Sequence, residues 1–439
     1  MISNENKRLA RWAMEHAQRN GCQGVRVTIS SGSNTTFALR DGRMDQLSQA
    51  SENGMNITFF VDGRFGTFST NRLNQRELEG SIKNSIESTR LLAPDPARAL
   101  PDPARFFRGG MPDLQLLDRN FGTISPDVKV GLAEAVAAEI LGTDERIISV
   151  NSRYGDRDGF SYQITSNGFE GETAGSSFSL SCSVSVRGDG DARPSDWWAE
   201  SSILFNNLVT TNIGRRALER TLQKIGAEQV TSGRYTMVMD NLISSRMVQP
   251  LISVISGAAL QQRNSFLLNK LDERVGSDLF TLIDNPHIVG AVGARYFDGE
   301  GVATERRSIF ENGVLRTNFI DTFNANRMNV APTISGPSIL DFQLGSKDMD
   351  GLIADLNKGI LVTGFNGGNF NQATGNFSYG IEGFLIENGR LTKPVSEMNI
   401  TGNFITLWQN LVAVGNDPRP NTSWRIPSLV FDNVDFSGV

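Results

Sequence analysis

Phe178-Ser179-Leu180-Ser181-Cys182-Ser183-Val184-Ser185-Val186 alternates apolar and hydroxyl side chains without a slip. Successive side chains of a strand point to opposite faces, so the stretch predicts a β-strand with one apolar and one hydroxyl face. Cys182 falls with the apolar set.

Working outward from that strand, helices flank it on both sides. Ser125-Pro126 supplies an N-cap and a first-turn proline ahead of a Val128, Leu132, Val136 stripe, and Gly142 is placed to end the helix. Leu218, Leu222 and Ile225 share a face of a second helix over 212–225, closed by Gly226. Further upstream, Leu9, Trp12, Ala13, His16 and Ala17 recur at helical spacing up to Gly21. Val25, Val27 and Ile29 then alternate, and Asp41-Gly42 and Asp62-Gly63 mark hairpin turns of a meander. Leu78, Ile82 and Ile86 restore helical spacing over 74–92. Pro94, Pro96, Pro101, Pro103 and Pro112 then punctuate a linker over 93–113 that wraps or joins sub-domains.

Toward the C-terminus, 234–239 predicts a strand leading into an apolar helix from Asp240 that Pro250 kinks. Asn312-Gly313 and Asn388-Gly389 carry the two-residue hairpin signature inside similar surroundings, Phe310 to Leu315 and Ile386 to Leu391. The expected fold is α+β. An N-terminal mixed α/β region has an antiparallel meander and helices, and a C-terminal β-rich domain has an antiparallel sheet or barrel-like core. The segments are 1–92, the linker 93–113, a middle α+β region 114–229, and 230–439.

Composition narrows the chemistry. The 439 residues hold 42 Lys+Arg against 48 Asp+Glu, a formal charge of −6, which disfavours direct nucleic-acid contact. Two cysteines, Cys22 and Cys182, cannot build a disulfide framework or a four-cysteine zinc site, and fit a reducing compartment. No signal-type h-region or long apolar run is visible, so the expected location is cytoplasmic, without a membrane span. The only histidines are His16 and His287, so any histidine-based site must recruit one of them. His16 lies on an apolar helix face and reads as a core residue, and His287 reads as structural. Cys22 has no adjacent base.

Asp156-Arg157-Asp158-Gly159 and Asp189-Gly190-Asp191 lack the oxygen series of a calcium loop and read as tight turns. Phe365 to Asn371, with Asn366, Gly367, Gly368 and Asn369, lacks the P-loop lysine. It reads equally as a peptide-facing loop or as a β-domain connection. Asp298-Gly299-Glu300-Gly301, with Thr304, Arg306 and Arg307, is the densest group of charges and glycines. It suits an acid/base or metal site, or a turn tied by salt bridges. Asp298, Glu300, Arg306, Asn366, Gly367, Gly368 and Asn369 are the candidate peptide- or partner-facing residues, and no catalytic or metal-binding residue is assigned.

Several segments together resemble the TldD/PmbA family, whose members were labelled modulators of DNA gyrase and act in proteolysis. They are Asn212 to Ala217, Gly233-Arg234-Tyr235, Phe297 to Val302 through Arg306-Arg307, and Glu311 to Leu315. Tyr379 to Phe384, Pro394 to Glu397, Gly402-Asn403, Trp408 and Val414 to Asp417 complete the set. The resemblance implies that an active TldD-type subunit carries HExxxH on the helix opening the C-terminal domain. Here the equivalent stretch, Asp240 to Gln262, holds neither His nor Glu. Three protein ligands and a base are needed for zinc hydrolysis, and Gln249, Ser253 and Ser256 do not replace imidazoles.

The chain is therefore similar to the PmbA, or TldE, branch: a non-catalytic subunit that binds no cofactor itself and pairs with a TldD-like, zinc-bearing HExxxH partner. The implied substrates are unfolded or small precursor peptides; the Asn-Gly hairpins and the 365–371 run suggest that the β-rich domain holds them by strand addition, and in isolation the chain is open to homodimer formation. The alternatives are a stand-alone metal-dependent hydrolase using Asp298 and Glu300, or a regulator binding DNA gyrase or another protein.

Overall fold

The computed structural model describes residues 1–438. The N-terminal half comprises α1 (Asn4–Arg19), β1 (Gly24–Arg40), β2 (Arg43–Val61), β3 (Arg64–Thr70), α2 (Gln75–Arg90), α3 (Pro126–Ala138), β4 (Ile147–Thr165), β5 (Glu170–Val186), β6 (Ser195–Ser202) and α4 (Ile213–Gln223). Its strands form one antiparallel sheet in the order β3-β2-β1-β4-β5-β6. The strands before and after the proline-rich segment therefore share a sheet, joined where β1 pairs with β4.

The period-two reading of 178–186 holds: Phe178, Leu180, Cys182, Val184 and Val186 are buried. β1 is long enough to cross two helix layers. Val25, Val27 and Ile29 pack with α1 and α2, whereas Phe37 and Leu39 pack with α3. Between them Ser31, Ser33 and Thr35, of the same strand parity, form a polar waist.

Asp156 to Gly159 is no turn. It lies mid-strand in β4, paired with β1 on one side and β5 on the other. Aspartate is ordinarily disfavoured in strands, but local partners offset that here. Lys129 reaches Asp156 at 2.5 Å, Tyr154 donates to Asp156 at 2.9 Å, and Ser33 donates its backbone N–H to Asp158 at 2.8 Å. Asp189-Gly190-Asp191 does turn the chain from β5 to β6.

The C-terminal half comprises β7 (Gly233–Met239), α5 (Ser245–Val254), α6 (Gly257–Gln261), β8 (Leu282–Asp284), β9 (Arg307–Glu311), β10 (Val314–Leu315), α7 (Thr322–Met328), β11 (Leu340–Phe342), α8 (Met349–Ala354), β12 (Lys358–Phe370), β13 (Asn376–Glu387), β14 (Arg390–Asn403), α9 (Phe404–Gln409), β15 (Leu411–Val414), β16 (Trp424–Arg425) and β17 (Leu429–Ser437). Strands β14-β13-β12-β7-β17 close into a barrel through the β14–β17 pairing, with β15 against β17. A smaller sheet, β10-β9-β8-β11-β16, stands beside it. One large core cluster fills the barrel and reaches the smaller sheet, with smaller clusters under α8 and around α6 and α7. Trp408 stacks on Phe280 at 4.0 Å and meets Phe431 edge-on at 5.3 Å, while α5 contributes Met247, Val248 and Leu251.

Both Asn-Gly pairs form the hairpins their sequence predicts, with φ of 49° and 77° at Asn312-Gly313 and 51° and 75° at Asn388-Gly389. The expected long helix from Asp240 is instead two helices, and the break falls at Ser256, not Pro250. Ser256 is extended at φ −73°, ψ 147°, caps α6 by accepting from the Ala259 N–H, and bridges to Phe319. The run 365–371 is not a loop; all but Asn371 is the outer half of β12, carried past the barrel by two bulges. Among the described residues no helix is long and apolar enough to cross a membrane.

Candidate functional site

A groove runs along the junction of the two halves, between β6 and α4 on one side and α5, β12 and β13 on the other. It consists of three cavities of about 560, 270 and 650 Å³, and Glu382 lines all three. α4 buries Ile213, Ala217, Leu218 and Thr221. Arg220 and Lys224, one turn apart, therefore project together from its other side. Lys224 bridges Asp196 at 3.1 Å and Glu382 at 2.6 Å, and Arg220 holds Asp196 and Asp240, each at 3.2 Å. Glu382 can lie across β12 only because residue 364 is glycine. A Cβ there would fall 2.2 Å from the Glu382 Oε1.

β6 pairs with β5 alone, so its outer edge faces the groove region. Side chains already occupy several of its backbone groups. Lys224 donates to the Ser195 carbonyl at 3.2 Å, the Trp197 N–H donates to Asp196 at 2.7 Å, and Arg419 donates to the Ala199 carbonyl at 2.6 Å. At these three groups a chain lying along β6 meets side chains already bonded to the backbone.

At the widest cavity α5 presents Ser245, Arg246 and Gln249. The Arg246 guanidinium lies over Tyr379 at 5.3 Å and Phe365 at 5.9 Å from the ring centroids. A hydroxyl, a guanidinium and an amide do not fit a zinc ion, which is bound by thiolate, imidazole and carboxylate. Among the described residues no three His, Cys, Asp or Glu side chains gather to hold a metal ion.

Of the residues singled out from sequence, Gly367 lines this cavity, and Asn366, Gly368 and Asn369 are its exposed neighbours on β12. Arg306 is exposed and stands apart from the groove lining. Asp298 and Glu300 face inward. Asp298, 3% exposed, accepts from the Glu300, Val302 and Ser335 N–H groups at 2.9, 3.0 and 3.1 Å. Glu300 accepts from the Thr322 N–H at 3.1 Å and hydroxyl at 2.8 Å, and burial raises its carboxyl above the usual range. Arg26 of β1 donates to the Gly299 carbonyl at 3.4 Å. Beside this loop Phe106, Phe169 and Phe297 pack together. The cluster thus fastens the N-terminal sheet to the C-terminal domain.

The histidines and cysteines are structural in their surroundings. His16 stacks on Trp12 at 5.1 Å; His287 hydrogen-bonds Thr304 at 3.0 Å, and burial lowers its pKa. Burial pushes the Cys22 thiol up to about 11 and that of Cys182 to about 12, so neither is a ready thiolate. Sequence reasoning missed Arg246, Asp196, Lys224 and Glu382. The Arg220–Lys224 pair on one helix face was a usable signal, but nothing local links it to acids on β6 and β13.

A closed barrel, a helix-covered antiparallel sheet and a groove between them make up the architecture, and comparison identifies its family. Residues 25–90, 119–225 and 232–438 match the first, central and C-terminal domains of the PmbA/TldA metallopeptidases. The chain belongs to the PmbA/TldD metallopeptidase family. It is 62% identical to a candidate modulator of DNA gyrase from Bacteroides thetaiotaomicron, whose crystal structure superposes with a TM-score of 0.99 over 100% of both chains. It is 25% identical to the metalloprotease PmbA of Escherichia coli O157:H7, over 94% of this chain and 92% of that protein. The fold is shared with TldE from Thermococcus kodakarensis, at a TM-score of 0.86 and 19% identity over 98% of this chain and 100% of that one.

Proposed function

We propose that this chain is the non-catalytic subunit of a heteromeric metallopeptidase, holding unfolded or small precursor peptides while a TldD-like HExxxH partner supplies zinc and cuts. The observation that carries the reading is α5. At the groove, where a zinc peptidase of this family needs imidazoles and a glutamate, α5 presents Ser245, Arg246 and Gln249. A peptide in the groove meets a polar, charge-paired lining, which suits loose sequence preference. The acidic balance of the chain favours a protein or peptide partner over DNA. Assembly would take place in the cytoplasm, and a homodimer would form where the partner is missing.

The test is zinc content and proteolysis of a denatured polypeptide by this chain alone, by an HExxxH-bearing subunit alone, and by the mixture. The expected result is no zinc and no cleavage for this chain, with cleavage rising on mixing. Stoichiometric zinc and cleavage by the isolated chain would overturn the proposal and restore the stand-alone hydrolase.

A further inference from the structure

We infer that the α5 end of the groove is a carboxylate-binding subsite, in which Arg246 takes a carboxylate of a bound peptide. The inference rests on the reading that the chain holds peptides, and names the group that this end of the groove recognises.

Two independent features meet in the cavity of about 650 Å³. The first is the state of its charges. Asp196, Asp240 and Glu382 are all held by Arg220 and Lys224. Arg246 pairs with no carboxylate among the described residues, and lies instead on the faces of Tyr379 and Phe365. Lying over the two rings leaves its N–H groups without a carboxylate partner, and a guanidinium suits a planar, two-oxygen acceptor. Asp196 and Glu382 also line the cavity, so a singly charged carboxylate meets less repulsion there than a doubly charged phosphate.

The second feature is Thr363, at the first bulge of β12. It lines the same cavity, is 8% exposed, and its Oγ1 has no hydrogen-bond partner. A buried hydroxyl without a partner is uncommon; this one is closed to solvent, so a ligand oxygen reaches it only where the β12 bulge gives way. Gly367, with φ 124° and open space where a Cβ would stand, leaves the approach clear.

The subsite is tested on the isolated full-length chain by fluorescence anisotropy with three labelled, unstructured peptides. One ends in a free carboxylate, one in an amide, and one in an amide with a single internal Glu. The expected result is about tenfold or tighter binding of the free acid over the plain amide, the scale of one charge-assisted hydrogen-bond pair. Arg246→Gln should abolish the preference, Arg246→Lys should restore part of it, and Thr363→Val should weaken the acid alone. If the internal-Glu peptide matches the free acid, the subsite reads side-chain carboxylates; if it matches the plain amide, the subsite reads chain ends. Equal binding of acid and amide, or a preference that survives Arg246→Gln, would overturn the subsite while leaving peptide holding intact. Absence of all binding would overturn the subsite. Peptide holding itself is then judged by crosslinking in the mixed complex, where labels confined to the HExxxH partner would remove it.

Discussion

The N-terminal sheet and the C-terminal barrel solve the same packing problem differently. The sheet buries apolar side chains in two separate clusters, one under α1 and α2 and the other under α3 and α4, with the Ser31–Thr35 and Asp156–Asp158 waist between them. The barrel and its neighbouring sheet share one large cluster from α5 through Trp408 to β17, with a smaller one between the barrel strands and α8. A divided core leaves room for polar residues inside its strands; a large shared cluster couples the residues that touch within it. The groove lies where the two meet, and its β6 wall is tied across by ion pairs.

The largest expected effect is in the large shared cluster. Trp408→Ala should cost about 3–5 kcal/mol, because a fully buried indole stacked on Phe280 and met edge-on by Phe431 leaves a cavity that neighbours on all sides cannot fill. Urea denaturation should show the barrel losing stability first and the sheet following. A loss below about 1 kcal/mol would contradict the shared-cluster picture.

Next comes the waist. Lys129→Met should cost about 3 kcal/mol by leaving the Asp156 carboxylate buried without its cation. The double change Lys129→Met with Asp156→Leu should recover most of that loss, since an apolar replacement of both partners is often neutral. If the double variant is as unstable as the single one, the waist is held by more than this ion pair. Smaller still, Gly32→Ala should cost about 1–2 kcal/mol, because its Cβ would stand 2.7 Å from the Asp158 carbonyl oxygen of the neighbouring strand. Circular dichroism melts of both halves should place that loss in the sheet.

The same contrast governs how much could be read from sequence. Alternation at 178–186 and the Asn-Gly pairs are local signals, and each produced the element it predicts. The waist was misread at Asp156–Gly159 because charged and glycine residues mid-strand look like a turn unless the partners on α3 and β1 are known. The pairing of β1 with β4 joins residues more than a hundred positions apart, beyond any periodicity. At the site, the stretch Asp240 to Gln262 stands out in the sequence for holding neither His nor Glu. What stands in its place depends on Arg246 meeting Tyr379 and Phe365 from another element, a contact that no spacing reveals. Asp298 and Glu300 drew notice as a charge cluster, yet charge density does not say whether carboxylates face solvent or fasten two halves together.

The weakest effect sharpens the comparison at the fastening between the halves, through pH. Glu300 has its folded pKa raised from 4.5 by burial, so its contribution to stability is fully present below that value and is lost as pH rises through the raised one. His287 has its folded pKa lowered from 6.5 by burial, so the unfolded chain takes up the proton first, and stability is lost as pH falls below 6.5. The two groups therefore slope in opposite directions. Subtracting the stability–pH profile of Glu300→Gln from that of the native chain should leave a curve falling with rising pH from about 4.5 upward. The same subtraction for His287→Gln should leave a curve rising with pH toward a plateau above about 6.5. Glutamine at 300 can still accept from Thr322, so the first difference isolates the buried charge from the lost hydrogen bond. A flat Glu300 difference would mean that the loop opens to water in solution, and at this end the two halves would then be held by the Phe106, Phe169 and Phe297 cluster.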